Sequence, residues 1–297
     1  MWDELQFALA LIVSGLSIGL MYSLIALGFV LVYKATDAIN FAQGEFVMLA
    51  GFVVAISLGD KVPVIAAVAI AVAIMVLFSF ALERVVLRPL LGRPIVAVIM
   101  ATIGLGAMLR GLPPITVGGE TRAVSLPIGD TPLTFGPVSL PPIQVLGVVV
   151  TLVFLAAFTW FFLKSRMGIA MRAVADNQQV AMAMGINVER YFALAWAMAG
   201  TVSALGGVIW GSMLGVDVHL ALVGLKVFPV VILGGLDSIV GAVIGGLIVG
   251  VVESLAAGYL DPYVGGGTKD FAPYVLMILM LMFKPYGMFG THRIERV

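Results

Sequence analysis

Residues 7–33 read FALALIVSGLSIGLMYSLIALGFVLVY, a stretch without one charged side chain. A helix needs about 20 apolar residues to cross the hydrocarbon core of a bilayer, and this stretch is long enough. The whole chain has the same character, because 62% of its 297 residues are hydrophobic and only 11% are charged. Soluble domains are roughly half apolar and a quarter charged. The sequence therefore predicts an integral membrane protein.

Further apolar stretches continue this pattern to the C-terminus. They cover residues 38–58, 62–82, 95–112, 143–163, 192–214, 226–236, 239–258 and 271–283. Residues 226–236 are too few to cross alone, and residues 38–58 begin with polar side chains, so we expect eight or nine crossings. The predicted fold is an all-α integral membrane protein, a polytopic bundle of about eight to nine transmembrane segments with broken or re-entrant helices. Residues 1–297 are expected to form a single transmembrane domain.

The basic residues cluster in alternate loops, which predicts the orientation. Eleven of the 16 lysines and arginines fall on one face when the crossings alternate, namely Lys34, Arg84, Arg88, Arg93, Lys164, Arg166, Arg172, Arg190, Lys284, Arg293 and Arg296. Only Lys61, Arg122 and Lys269 lie clearly in the opposite loops. Short loops rich in lysine and arginine stay in the cytoplasm. We therefore expect a cytoplasmic C-terminus and an N-terminus on the outer side.

Two loops between the predicted spans are long. Residues 113–142 on the outer side contain seven prolines, a density that disfavours helix and favours an extended covering over the membrane domain. Residues 164–190 on the inner side differ, because residues 171–184 contain neither glycine nor proline and are rich in helix-forming residues. We predict one cytoplasmic helix there, with Arg172, Asp176 and Gln179 on one face and Gly185 as its C-terminal stop.

This predicted cytoplasmic helix has two interpretations. A short amphipathic helix held between two spans has the size to sit in a groove of a soluble partner. It could equally be an interfacial helix that only orients its neighbouring spans. Spacing alone does not separate these interpretations.

Polar or helix-breaking residues interrupt the membrane segments in each half of the chain. In the first half, Asn40, Gln43 and Glu45 lie beside an apolar run; in the second, Gly234 and Gly235 follow a half-length run that contains Pro229. Transporters use broken helices where the backbone lines a cavity, so these residues are candidates for a central pathway. The alternative for each segment is a plain loop at the membrane surface. Glu253, alone in an apolar run, fits a pathway residue or a hydrogen bond to a neighbouring helix.

Several classes of chemistry are disfavoured. Gly15-Leu16-Ser17-Ile18-Gly19 matches a hydrolase motif but lies inside an apolar segment, and the chain has only two histidines, so we expect no catalytic residues. The chain has no cysteine and no metal-ligand cluster, so we expect no metal. The net charge of zero gives no basic footprint for nucleic acid. No nucleotide-binding motif occurs, so ATP would have to act through another chain.

Nearly the whole chain resembles the permease subunits of branched-chain amino-acid ABC importers. The similar stretches are residues 19–28, the NFAQGE stretch at 40–45, Arg88-Pro89-Leu90, Thr102-Ile103-Gly104, residues 172–177 and 183–186, residues 224–246 with Glu253, and the KPYGMFG ending at 284–290. The most specific is the region from Gly224 through Gly234-Gly235-Leu236-Asp237-Ser238 to Gly246. The family typically has His where this chain has Gln43, which puts in doubt any role that needs a titratable group there.

The resemblance implies a bacterial inner (plasma) membrane location, with the N-terminus and residues 113–142 in the periplasm. It implies three kinds of partner besides lipid: a second permease that completes a heterodimer, two cytoplasmic ATPases that bind ATP and Mg, and a periplasmic solute-binding protein. The cytoplasmic loop 164–190 would carry a coupling helix that docks on an ATPase. Its candidate contact residues are Arg172, Ala173, Ala175, Asp176, Asn177 and Gly185. No cofactor is implied for this chain itself.

Two alternatives concern function. Similar permeases are associated with urea, short amides or aromatic acids. The resemblance therefore identifies the family of the protein but leaves several classes of solute open. A stand-alone secondary transporter or channel would need its own ion-coupling carboxylates or selectivity filter, for which only Glu45 and Glu253 are candidates. Uptake that persists without ATP hydrolysis and follows an ion gradient would favour that second class.

Overall fold

The computed structural model describes residues 2–90, 93–129 and 131–291. Its helices are α1 (Trp2–Thr36), α2 (Gln43–Gly59), α3 (Val64–Leu82), α4 (Ile95–Thr116), α5 (Pro142–Lys164), α6 (Arg166–Asp176), α7 (Gln178–Ala183), α8 (Val188–Leu214), α9 (Leu222–Gly234), α10 (Ile239–Tyr259), α11 (Asp261–Val264) and α12 (Thr268–Phe283). A π-helical turn (Glu83–Leu87) and a 3-10 turn (Arg88–Leu90) extend α3, and a 3-10 turn (Val218–Ala221) precedes α9. Strands β1 (Leu133–Phe135) and β2 (Val138–Leu140) form a small antiparallel hairpin.

Each of the nine apolar stretches contains a helix, although residues 38–42 lie before α2 and residues 235–236 lie after α9. Within the described ranges, six helices are long and apolar enough to cross a membrane: α1, α3 with its continuation, α4, α5, α8 and α10. Helix α2, the 3-10 turn with α9, and α12 are shorter apolar helices. The helical, polytopic membrane fold is therefore confirmed. Arg293 and Arg296 of the predicted cytoplasmic tail lie outside the described residues.

The proline-rich loop after α4 begins later than predicted. Pro113 and Pro114 were expected to open the proline-rich loop, but they lie in the last turn of α4. The fixed φ of proline is compatible with a helix, but proline has no N–H to donate. A helix can therefore continue through a proline near its end, although it loses a backbone hydrogen bond there. Farther along, Arg122 and Val216 exchange backbone hydrogen bonds of 2.9 and 2.8 Å. This pairing fixes the first part of the loop beside the end of α8.

The chain forms two compact units. The first comprises Met1–Ala26, Pro127–Leu152 and Lys226–Val297, and the second comprises Leu27–Leu126 and Val153–Leu225.

In the second unit, the core lies where α2 and α3 pack on α8. Phe46 of α2 has its ring centroid 5.4 Å from that of Phe78 and 6.1 Å from that of Trp196. Glycines let the helix backbones approach: a Cβ added at Gly207 would lie 2.7 Å from the Val47 carbonyl oxygen, and one added at Gly200 would lie 2.6 Å from that of Met75. Small-residue contacts of this kind stabilise helix pairs in membranes, where no hydrophobic effect drives them together.

In the first unit, α10 packs closely against α1. Added Cβ atoms at Gly15 and Gly19 would touch the carbonyl oxygens of Gly250 and Gly246. The Ser23 hydroxyl donates to the Val243 carbonyl at 3.2 Å across the same contact. Glycines spaced four residues apart on both helices therefore allow the two backbones to pack closely.

The start of α12 is stabilised by an acidic side chain outside the spans. The Thr268 N–H donates to Asp261 Oδ1 at 2.8 Å, and the Thr268 hydroxyl donates to the same oxygen. These hydrogen bonds hold the pKa of the Asp261 carboxyl below its ordinary value, and the bond from the Thr268 hydroxyl contributes more than the bond from its N–H. An otherwise orphaned N–H in the first turn of α12 is thereby satisfied.

Gly19→Ala is expected to destabilise the protein by about 1–3 kcal/mol, because the new methyl group would overlap the α10 backbone. The matched control is Gly104→Ala, since a Cβ at Gly104 of α4 would meet nothing within 4 Å. The thermal unfolding midpoint of each purified variant in detergent measures the difference. Equal midpoints for the two variants would contradict the close contact between α1 and α10.

Candidate functional site

The predicted pathway residues Asn40, Gln43 and Glu45 lie where the chain enters α2, inside the membrane. A Cβ added at Gly28 would touch the Gln43 side-chain amide, and Gly28 is about two helical turns before the end of α1. The Glu45 carboxyl lies 3.3 Å from a Cβ added at Gly106, which is halfway along α4. After α1 the chain therefore folds back, and α2 begins near mid-depth of these spans. Helices that begin within the bilayer are a feature of transporter binding sites.

Asn40 and Gln43 form a closed hydrogen-bond network. Both are almost fully buried, at 1% and 0% exposure. Asn40 Nδ2 donates to Gln43 Oε1 at 3.1 Å, and Gln43 Nε2 donates to Ser203 Oγ at 2.9 Å. The Ala42 N–H donates to Asn40 Oδ1 at 3.1 Å. The pair thus connects the start of α2 to α8, and its amide groups are satisfied by the protein itself.

Glu45 forms an ion pair with Arg110 of α4. Arg110 Nη2 donates to Glu45 Oε1, and the Glu45 side chain is only 5% exposed while that of Arg110 is 46% exposed. The sequence interpretation did not single out Arg110. Its signal was present, because an arginine inside an apolar span is expensive and usually functional.

A second polar cluster joins four helices of the first unit. Lys226 of α9 lies with its Nζ 2.6 Å from Asp270 Oδ1 of α12 and 3.5 Å from Glu253 Oε1 of α10. The Tyr22 hydroxyl of α1 donates to the same Glu253 oxygen at 3.3 Å. Glu253 therefore bonds to neighbouring helices, one of the two roles considered for it. The pairing with Lys226 was not foreseen, because it depends on the packing of α9 against α10 and α12.

Gly234 and Gly235 form the turn that ends α9. Gly235 has φ of +107°, a conformation that L side chains rarely adopt. A Cβ added there would lie 2.5 Å from the Gly290 backbone nitrogen. The N–H groups of Met288 and Phe289 donate to the carbonyls of Leu233 and Gly234, at 2.9 and 3.0 Å. A bulky residue at Gly235 would therefore displace residues 288–290. A loss of transport in such a variant could come from this disturbed turn as well as from a blocked pathway.

The loop between α5 and α8 contains two helices, which corrects the prediction of one helix over residues 171–184. Helix α6 ends at Asp176, and Asn177, with φ of −154° and ψ of 107°, separates it from α7. The Asn177 side chain accepts from the Val180 N–H at 3.0 Å and so caps α7. The predicted common face of Arg172, Asp176 and Gln179 is interrupted there, because Gln179 lies on the second helix.

The predicted stop at Gly185 is confirmed. Gly185 has φ of +82°, its N–H donates to the Met182 carbonyl, and the Ile186 N–H donates to the Ala181 carbonyl, both at 3.0 Å. This is the Schellman arrangement of a helix C-terminus.

Two contacts attach this loop to the ends of α5 and α1. Arg172 Nη1 donates to the Phe162 carbonyl, and its guanidinium carbon lies 5.4 Å from the centroid of the Phe162 ring. Gln178 Nε2 donates to the Ala35 carbonyl of α1 at 3.1 Å. Of the predicted contact residues, Arg172, Ala173 and Ala175 are half-buried, and Asp176, Asn177 and Gly185 are exposed.

The end of α7 carries an exposed apolar surface, which we call the α7 tip and which comprises Val180, Met182 and Met184. Their exposures are 58, 55 and 77%. Exposed apolar residues that are contiguous mark interaction sites in many proteins. The contact residues predicted from the sequence are polar and small residues of this loop and do not include Met184, the most exposed of the three.

Among the described residues, no group of three or more His, Asp or Glu side chains could hold a metal ion.

Comparison with known proteins gives full-length matches. The family model described as "Branched-chain amino acid transport system / permease component" matches residues 11–283. The high-affinity branched-chain amino acid transport system permease protein BraD of Pseudomonas aeruginosa is 32% identical over 310 residues, which is 99% of both chains. The permease protein LivH of the same kind of system in Escherichia coli K12 is also 32% identical, over the full length of both chains.

A solved structure shows a similar fold. A chain in the structure of PsaBC from Streptococcus pneumoniae in complex with Fab matches with a TM-score of 0.50. The match covers 94% of this chain and 92% of that chain at 12% sequence identity. At this identity the likeness concerns the fold alone.

Proposed function

Because this chain belongs to the family of permease components of branched-chain amino-acid transport systems, we propose that it forms one half of a membrane pathway for these amino acids. It is a permease subunit of an ATP-binding-cassette importer and not an enzyme. The match of the family over residues 11–283 is the observation that carries this conclusion. A permease of this family implies ATPases and a binding protein in the same complex.

The finer assembly is part of the proposal. A second, related permease completes the pathway in a heterodimer, two ATPases lie below it, and a periplasmic binding protein delivers the solute. The protein lies in a bacterial inner membrane with its N-terminus in the periplasm and its C-terminus in the cytoplasm. The distribution of lysine and arginine supports this orientation.

The cytoplasmic loop is the proposed contact with an ATPase. Its exposed α7 tip offers apolar surface, and Asp176 and Asn177 border it. Its attachments through Arg172 to Phe162 and through Gln178 to Ala35 connect it to α5 and α1. A movement imposed on the loop by ATP binding would therefore act on those spans, and so bias the permease between outward and inward openings.

Asn40, Gln43, Glu45, Gly234 and Gly235 shape the pathway in this proposal. The start of α2 near mid-depth and the glycine turn after α9 are both interruptions of membrane helices, which supports that role. Asn40 and Gln43 act by holding the start of α2, since their polar groups are occupied by protein partners.

Uptake is expected to depend on ATP hydrolysis by the partner chains. With the complete importer in proteoliposomes, ATPases that bind but cannot hydrolyse ATP should abolish leucine uptake, whereas collapse of ion gradients should leave it unchanged. Urea, acetamide and phenylalanine, tested as competitors, distinguish the alternative solutes. Uptake that continues with the inactive ATPases would contradict the proposal and favour a stand-alone transporter.

A further inference from the structure

Arg110 is a charged residue on an otherwise apolar, exposed side of α4. Ile103, Ala107 and Pro114, which share this side of the helix at helical spacing, are all exposed in the isolated chain. An arginine that faced lipid within a span would be costly, and charged residues at such depth face a polar space or a protein. The side of α4 that carries Arg110 is therefore turned away from lipid.

Glu45 fixes the position of the Arg110 guanidinium. The carboxylate is buried, and it accepts from Nη2 of Arg110. An arginine has five donors in a planar fork, and this contact uses one edge of it. Since the Arg110 side chain is 46% exposed, donors remain available to a ligand outside the second unit. A carboxylate is the anion that fits such a fork with two parallel hydrogen bonds.

Glycines leave part of the α4 surface near Arg110 uncovered in the isolated chain. Arg110 is one turn from Gly106, which lies halfway along α4. Added Cβ atoms at Gly104 and Gly111 of this helix would meet nothing within 4 Å. Substrate sites of transporters lie near the bilayer midplane, which is the depth of this pair.

We propose that Arg110 binds the carboxylate of the transported amino acid during its passage, with Glu45 as a positioning residue. This inference rests on the proposed function. The ammonium group and the side chain of the amino acid would be recognised elsewhere, the latter by apolar surface.

The experiment has to measure binding of the solute to the permease alone, because the binding protein selects the solute before the permease does. Saturation-transfer NMR on the assembled importer without its binding protein would measure contact with leucine, and leucinamide serves as the probe that lacks the carboxylate. We expect a strong signal for leucine and a weak one for leucinamide. Arg110→Met should remove the leucine signal and lower ATP-driven uptake about tenfold or more, because a charged hydrogen-bond pair is lost.

Two further variants and a control define the role of each group. Arg110→Lys keeps the charge but not the planar fork and should give an intermediate signal. Glu45→Gln should weaken the leucine signal less than Arg110→Met, and Glu45→Asp should restore part of it. Arg84→Met removes an exposed arginine just beyond α3 and should behave as the wild type.

Either of two results would overturn this inference. One is an undiminished leucine signal and uptake in Arg110→Met. The other is loss of the second permease from that purified variant, which would make Arg110 a contact between subunits. A wild-type importer without ATP-dependent uptake would instead contradict the proposed function, so the two failures are distinguishable.

Discussion

Lys226→Met is expected to destabilise the protein by about 3 kcal/mol, because it leaves the buried Glu253 carboxylate without its cation. The loss is at the low end of the range for broken buried pairs, since the Lys226 side chain is 28% exposed and water can partly replace it. Asp270, which also pairs with Lys226, is 57% exposed and is less affected. The unfolding midpoint in detergent would report the change.

A double variant tests whether the uncompensated charge causes this loss. In Lys226→Met with Glu253→Gln, the amide is neutral and its oxygen can still accept from the Tyr22 hydroxyl. The double variant should therefore recover most of the stability, a coupling that a double-mutant cycle measures. Lys269→Met, which removes an exposed lysine beside Asp270, is the control and should be nearly neutral. A double variant no more stable than Lys226→Met would contradict the explanation.

Met182→Glu combined with Met184→Glu is expected to lower uptake about 100-fold or more, because two carboxylates would have to be buried in the proposed contact with the ATPase. Both side chains are more than half exposed in this chain, so the fold itself should tolerate the change. The ATPases should be lost when the variant is purified, while insertion into the membrane is unchanged. Met167→Glu, at an exposed methionine of α6, is the matched control.

Arg172 and Asp176 are less suitable than Met182 and Met184 for testing the proposed contact. Reversing the charges of Arg172 and Asp176 would also break the attachment of Arg172 to Phe162, so it would disturb the loop as well as the docking surface. Because the chain has no cysteine, Met184→Cys would be a unique label. Normal copurification of the ATPases with the Glu variant, or labelling of Cys at this position from the periplasm, would contradict the proposal.

The positions of the membrane helices could be predicted from the sequence, because the length of an apolar stretch is a local property. Residues 239–258 were expected to cross, and α10 covers Ile239–Tyr259. The stop at Gly185 was likewise foreseen from one residue. The break at Asn177 was missed because Asn is tolerated within helices as well as at their N-caps.

The polar sites could be predicted only in part. The interruption near Asn40 was visible, but its depth was not, because depth follows from the contacts with Gly28 and Gly106. Glu45 was named, but its partner Arg110 is 65 residues away in sequence. Which charges meet across helices depends on how those helices pack, and hydropathy contains no information on that.

The contact between Gly28 and the Gln43 amide has a consequence for sequence variation among relatives. There is no space for a methyl group at position 28 while a side chain as long as glutamine occupies position 43. The two positions should therefore covary: a relative with alanine or a larger residue at the first should have a shorter residue at the second. A relative that gained the bulk at position 28 alone would have to move the amide of residue 43 away from its hydrogen-bond partners or move the start of α2.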